Sequence, residues 1–77
     1  MDTNYEFYRV YGKCGAMKQF KAMDWNAGAF VGNLIFATFF ESNVLEKLKK
    51  DVEETAKLNP DFKFQIRDNL NRIIFES

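Results

Sequence analysis

The sequence predicts an α+β domain: an antiparallel sheet of four or five strands with one amphipathic helix on one face, in the order β-β-β-α-β and a further short strand at the end. Three observations predict it. The first forty residues hold short aromatic and branched runs separated by Gly, Asn and Asp, as strands and tight turns require. One stretch, beginning at Asn43, changes to a helical period. A later stretch, Phe62 to Arg67, alternates strictly between apolar and polar residues.

Taken in order, residues 4 to 11 read as a first strand, with Tyr5, Phe7, Arg9 and Tyr11 on one side and Glu6, Tyr8 and Val10 on the other. Gly12 to Gly15 supplies turn residues, and Met17 to Met23 is expected to return as a second strand. Asp24 to Gly28 is a loop. Residues 30 to 40, Phe-Val-Gly-Asn-Leu-Ile-Phe-Ala-Thr-Phe-Phe, hold the densest apolar content and no charge. Their composition predicts a buried central strand covered on both faces, because neither alternating side is polar. The uncharged segment from Trp25 to Phe40 is 16 residues long, short of the roughly 20 that a spanning helix needs.

The helix follows. Val44, Leu45, Leu48, Val52 and Ala56 fall on one face, opposite Lys47, Lys50, Glu54 and Lys57. Asn43 is placed to cap it with Glu46 reaching back, while Asn59 and Pro60 end it. Glu46 with Lys50, and Glu53 with Lys57, stand at i,i+4 in the favourable order. Phe62, Phe64 and Ile66 should meet the helix, Asp68 to Asn71 should turn, and Ile73 to Phe75 should either pair back as a last strand or dock elsewhere. No repeat, linker or low-complexity segment divides the chain, so 1–77 is expected to be a single small domain.

Composition limits what such a domain does. Eleven basic and eleven acidic residues leave no net charge, so any nucleic-acid site has to be local. The chain contains no histidine, which removes the usual general base and the commonest metal ligand. Cys14 is the single cysteine; it forms no intramolecular disulfide, and without a histidine base it is a weak candidate nucleophile. Carboxylates fall at predicted element ends, where capping and turn formation account for them. No catalytic constellation, cofactor motif or metal-ligand spacing is present in the sequence, and no small-molecule substrate is indicated. A cytoplasmic, non-membrane protein is expected, since the start of the chain lacks the pattern of a secretory signal.

What remains is a surface. Residues 1 to 23 and 62 to 72 hold seven cations against three carboxylates. The expected interaction surface joins Tyr5, Tyr8 and Tyr11 with Arg9, Lys21, Lys63 and Arg67 on the sheet face that the helix leaves open. Tyrosine and arginine favour protein contacts, and the same mixture can hold single-stranded nucleic acid by stacking and phosphate contact. The first expectation is a non-enzymatic module that binds another protein or itself; the alternative is a single-stranded nucleic-acid binder.

The segments Phe20 to Asp24, Val31 to Thr38 and Asn59 to Arg67 resemble small uncharacterised proteins encoded by bacterial phages and integrative conjugative elements. The resemblance spans about residues 8 to 67 and includes no catalytic signature. It implies a phage or mobile-element setting and an accessory role, and it supplies no site residues.

Overall fold

The computed structural model describes residues 6–77. As expected, the fold is α+β, an antiparallel sheet with one helix. The sheet has six strands: β1 (Phe7–Cys14), β2 (Lys21–Asp24), β3 (Ala29–Phe30), β4 (Phe39–Glu41), β5 (Phe62–Asp68) and β6 (Ile73–Glu76). The helix α1 spans Leu45–Leu58 between β4 and β5.

At the centre lie β1 and β5, paired antiparallel from Tyr8 opposite Asp68 to Cys14 opposite Phe62. On its other edge β1 is shared: its end pairs with β2 at Tyr11 and Gly12, and its beginning with β4 at Phe7, Tyr8 and Arg9. The remaining pairs are β2 with β3 and β5 with β6. Because side chains alternate along a strand, the β1–β5 register sends Tyr8, Val10, Phe64 and Ile66 to one side. That side meets Leu48 and Val52 of α1, and Val10, Val52 and Ile66 are completely buried there. Trp25 closes the end of this layer, its ring edge-on to Phe64 at 5.3 Å and its Nε1 donating to Asp51 Oδ2 of α1 at 2.8 Å.

Gly12 shows why one small residue is needed in the middle of an aromatic strand. A Cβ at this position would stand 2.6 Å from Met23 Sδ and 3.3 Å from the rings of Phe30 and Phe64. Glycine lets three large side chains close over the backbone of β1.

Several local expectations are overturned. Residues 30 to 40 do not form a buried central strand. The chain leaves the sheet after Phe30, winds a 3-10 turn at Leu34–Phe36, and rejoins it at Phe39. The reason lies in Asn33, whose Oδ1 accepts from the Ile35 amide at 3.0 Å. Such a side-chain bond offers the backbone an alternative to a strand ladder. The predicted second strand from Met17 shortens to Lys21–Asp24, because a turn closed by the Met17 amide on the Cys14 carbonyl, with Gly15 at φ 52°, takes up the preceding residues. The Asn43 cap does not form: Ser42–Val44 is wound into a 3-10 turn that leaves Val44 at the cap without a side-chain bond. Glu46 pairs with Lys49 at 3.6 Å rather than with Lys50. The C-terminal signal is as expected, with Asn59 Nδ2 donating to the Thr55 carbonyl at 2.9 Å. Residues 1–5, including Tyr5 and the predicted start of the first strand, lie outside the described residues.

Ile73–Glu76 does pair back as a last strand. Asp68 shapes the turn that brings it there: Oδ1 accepts from the amides of Leu70 and Arg72, each at 2.9 Å, and Oδ2 accepts from Arg72 Nε at 2.7 Å. Burial by itself would push this carboxyl up, but the hydrogen bonds and charge of Arg72, with the Leu70 amide, hold it below its ordinary value. Among the described residues no helix is long and apolar enough to cross a membrane.

Gly12→Ala should lower stability by ~1–3 kcal/mol, the range for overpacking a closed core, read as a fall in melting temperature. No change would show that Met23 swings away freely. Because the carboxylate of Asp68 is favoured in the folded state, its contribution is present above ~3.9, the unfolded value, and lost as the pH falls through the lower folded value. Asp68→Asn should therefore flatten the acid limb of a stability-versus-pH curve, and an unchanged limb would assign acid unfolding to other carboxylates.

Candidate functional site

The side of the sheet away from α1 is the open face. The β1–β5 register places Arg9 opposite Arg67, Tyr11 opposite Gln65 and Lys13 opposite Lys63 on it. Toward β4, Arg9 neighbours Phe39, and Phe7 neighbours Glu41. Like charges directly across a strand pair repel, so the two cationic pairs need compensation.

The compensation comes from rings. The Arg67 guanidinium lies 4.2 Å from the centre of the Tyr11 ring, Arg9 lies 4.9 Å from that of Phe7, and Lys13 Nζ lies 5.0 Å from that of Phe20. Arg67 is also fixed by hydrogen bonds from Nε and Nη2 to Gln65 Oε1, at 3.0 and 2.8 Å, and from Nη1 to Asn71 Oδ1 at 3.2 Å. Gln65 in turn donates to Glu76 Oε2 at 2.7 Å, tying β5 to β6 across the face. Arg9 is less complete: its Nε is buried and has no hydrogen-bond partner.

Of the surface residues read from the sequence, the structure brings Arg9, Tyr11, Lys63 and Arg67 together on this face. Tyr11 is buried under Arg67, Ala22 and Ala37, so its ring is not open to a ligand. Tyr8 belongs to the opposite face, inside the helix-covered core, which corrects its place in the expected surface. Burial pushes its phenol above the ordinary value, and Glu6, 3.5 Å from the hydroxyl, adds to the shift. Lys21 is exposed but pairs with Gly12, a helix-side position, so it too leaves the set.

A feature that sequence reasoning missed dominates the open face. The loop from Val31 to Thr38 lies over it, because Val31 and Ala37 at its two ends pack on Tyr11 and Ala22. Between them the loop holds its apolar side chains outward: Leu34, Ile35 and Phe36 are 47%, 73% and 65% exposed, and Phe39 beyond them is 56% exposed. This tip is tied in place. The Val31 amide donates to the Ala22 carbonyl at 3.0 Å, and the Thr38 amide to the Met23 carbonyl at 3.2 Å. Thr38 Oγ1 donates to Asp24 Oδ1 and accepts from the Trp25 amide, both at 3.0 Å. Phe39 meets the Phe7 ring edge-on at 5.5 Å, joining the tip to β1. Gly32-Asn33 inside the apolar run was the available signal, a turn pair that a continuous buried strand has no use for.

No group of three or more His, Cys, Asp or Glu side chains capable of holding a metal is found among the described residues. Cys14 is a free thiol with Met17 Sδ 3.8 Å away. A depression of about 470 Å³ is an open groove along α1 lined by Phe40, Val44 and Leu48 with Lys47, Lys50, Asp51 and Glu54, outside the cationic face. Compared with known proteins, the chain matches no family model, no curated protein and no solved structure.

Arg67→Ala should uncover Tyr11 and leave the buried Gln65 oxygen without its donors, lowering stability by ~1–3 kcal/mol. Arg67→Lys should not restore it, since an ammonium cannot reproduce two parallel N–H contacts over a ring. Wild-type melting in both variants would remove the structural role assigned to this side chain.

Proposed function

We propose that the protein is a non-enzymatic interaction module that binds a protein partner through the open face, with the Leu34–Phe36 tip and Phe39 as its centre. The observation behind this reading is the tip itself. Four large apolar side chains left in water by an ordered loop expose on the order of 500 Å², taking ~200 Å² for each whole side chain. A patch of that size falls in the range of the largest apolar patch on a monomer, which is often functional. The loop is fixed at both ends, so a partner binding here has little backbone to order and retains more of the contact energy. Cations around an apolar centre also match the anatomy of protein interfaces, where arginine and aromatic residues concentrate. The resemblance to proteins of phages and conjugative elements supports reading the module as an accessory protein of such an element, acting in the bacterial cytoplasm.

One observation supports single-stranded nucleic acid as a second reading: the cation pairs Arg9/Arg67 and Lys13/Lys63 stand side by side across β1 and β5. Against it, the rings that a base would stack on, Tyr11, Phe7 and Phe20, are already faced by those cations.

The immobilised protein and its Ile35→Asp variant, incubated with bacterial lysate before and after nuclease treatment, separate the two readings. The interaction reading expects a protein retained after nuclease and lost in the variant. Retention that disappears with nuclease, salt-sensitive and weakened by Arg9→Ala, would replace it with the nucleic-acid reading. Absence of any retained species, another copy of the chain included, would leave neither standing.

A further inference from the structure

The arrangement of charge around the apolar tip narrows the partner further. Arg9 and Phe7 of β1 stand beside Phe39 and Glu41 of β4, in register. Facing residues are about 5 Å apart and every second residue along a strand about 7 Å apart, so the four positions form a small rectangle. The two phenylalanines occupy one diagonal and touch. Arg9 and Glu41 occupy the other. Glu41 is exposed, and neither it nor Arg9 has an ion-pair partner among the described residues.

This rectangle is self-complementary. In a face-to-face pair a two-fold axis lies between the surfaces, and each residue meets the image of its position reflected across that axis. With the axis along the Phe7–Phe39 diagonal, Arg9 of each chain falls close to Glu41 of the other, within reach of its long side chain. The phenylalanines then meet their own copies along the axis. Neither ion-pair partner need come from a different protein.

We propose that the open face binds a second copy of this chain as an isologous dimer, in which the Leu34–Phe36 tip and Phe39 form the dry centre and Arg9 and Glu41 exchange ion pairs at its rim. This rests on the interaction reading above and names its partner. Area agrees with it. A stable interface of standard size takes about 800 Å² from each side, and the tip with Phe39 provides on the order of 500 Å² as apolar surface alone. Phe7, Arg9 and Glu41 adjoin that surface and add to it. The absence of net charge means that two copies meet without long-range repulsion.

Sedimentation or light scattering at concentrations well above micromolar tests the proposal on three proteins: the wild type, Ile35→Asp and Glu41→Arg. Both substituted residues are exposed and make no side-chain hydrogen bond or ion pair among the described residues, so circular dichroism should report an unchanged fold. The wild type should have twice the chain mass. Ile35→Asp should be a single chain, and Glu41→Arg, which sets like charges against each other, should raise the dissociation constant by about tenfold or more. A wild type of single-chain mass would overturn the second copy as partner. In that event, lysate capture of another protein that Ile35→Asp abolishes would leave the interaction reading standing, and its absence would remove both. A dimer untouched by both substitutions would place the self-contact on another surface and overturn this assignment.

Discussion

The β1–β5 ladder is the constraint from which the rest of the molecule follows. Once Tyr8 faces Asp68 and Cys14 faces Phe62, side-chain alternation leaves no freedom in what each face contains. Val10, Phe64 and Ile66 go to the helix, and Arg9, Tyr11, Lys63 and Arg67 go to the other side. A slip of one residue in β5 would turn Lys63, Gln65 and Arg67 toward α1 and send Phe64 and Ile66 to the open face. The requirement for glycine at position 12 acts on the same ladder, since that is where β1 passes beneath Met23, Phe30 and Phe64. Position, polarity and packing therefore specify one register together.

A single α-helix covers one face of the sheet, and the described residues hold no second one to cover the other. The open face is closed instead by three smaller devices. Arginine and lysine lie over aromatic rings, the Arg67–Gln65–Glu76 chain of hydrogen bonds spans from β5 to β6, and the Val31–Thr38 loop folds over Tyr11 and Ala22. The first two are built from charged and polar side chains. The third is not: it seals the Tyr11 side of the face by transferring apolar surface to its own tip.

Much of this was legible in the chain. The change of period at residue 43 located the helix, and the Phe62–Arg67 alternation gave both the last long strand and the side that meets the helix. Four of the surface residues named from sequence, Arg9, Tyr11, Lys63 and Arg67, do share one face. The errors have physical causes. Composition assigned residues 30 to 40 to a buried strand because Phe, Ile and Val pack well in sheets. The deciding interaction there is a single side-chain bond, from the Ile35 amide to Asn33, that composition does not register. The sequence suggests Tyr8 and Tyr11 as surface rings because one helix leaves a sheet face open, and tyrosine is suited to either environment. Which side each takes depends on register, a property of two strands that neither strand contains alone. The cap at Asn43 failed for a similar reason, since the preceding 3-10 turn had already fixed the backbone on which a cap depends.

The exposed tip also bears on how the protein behaves in concentrated solution. A chain with equal numbers of acidic and basic residues has little electrostatic repulsion to keep copies apart, and near its isoelectric point of about 6.2 it has least. An apolar surface in that condition adheres to whatever it meets. Its containment falls to geometry: a face that closes on itself two at a time stops there, whereas one that does not close continues to add copies. On the dimer proposed above, the same three side chains, Leu34, Ile35 and Phe36, would divide a clear solution from a turbid one. Mildly acidic pH is where that division is sharpest.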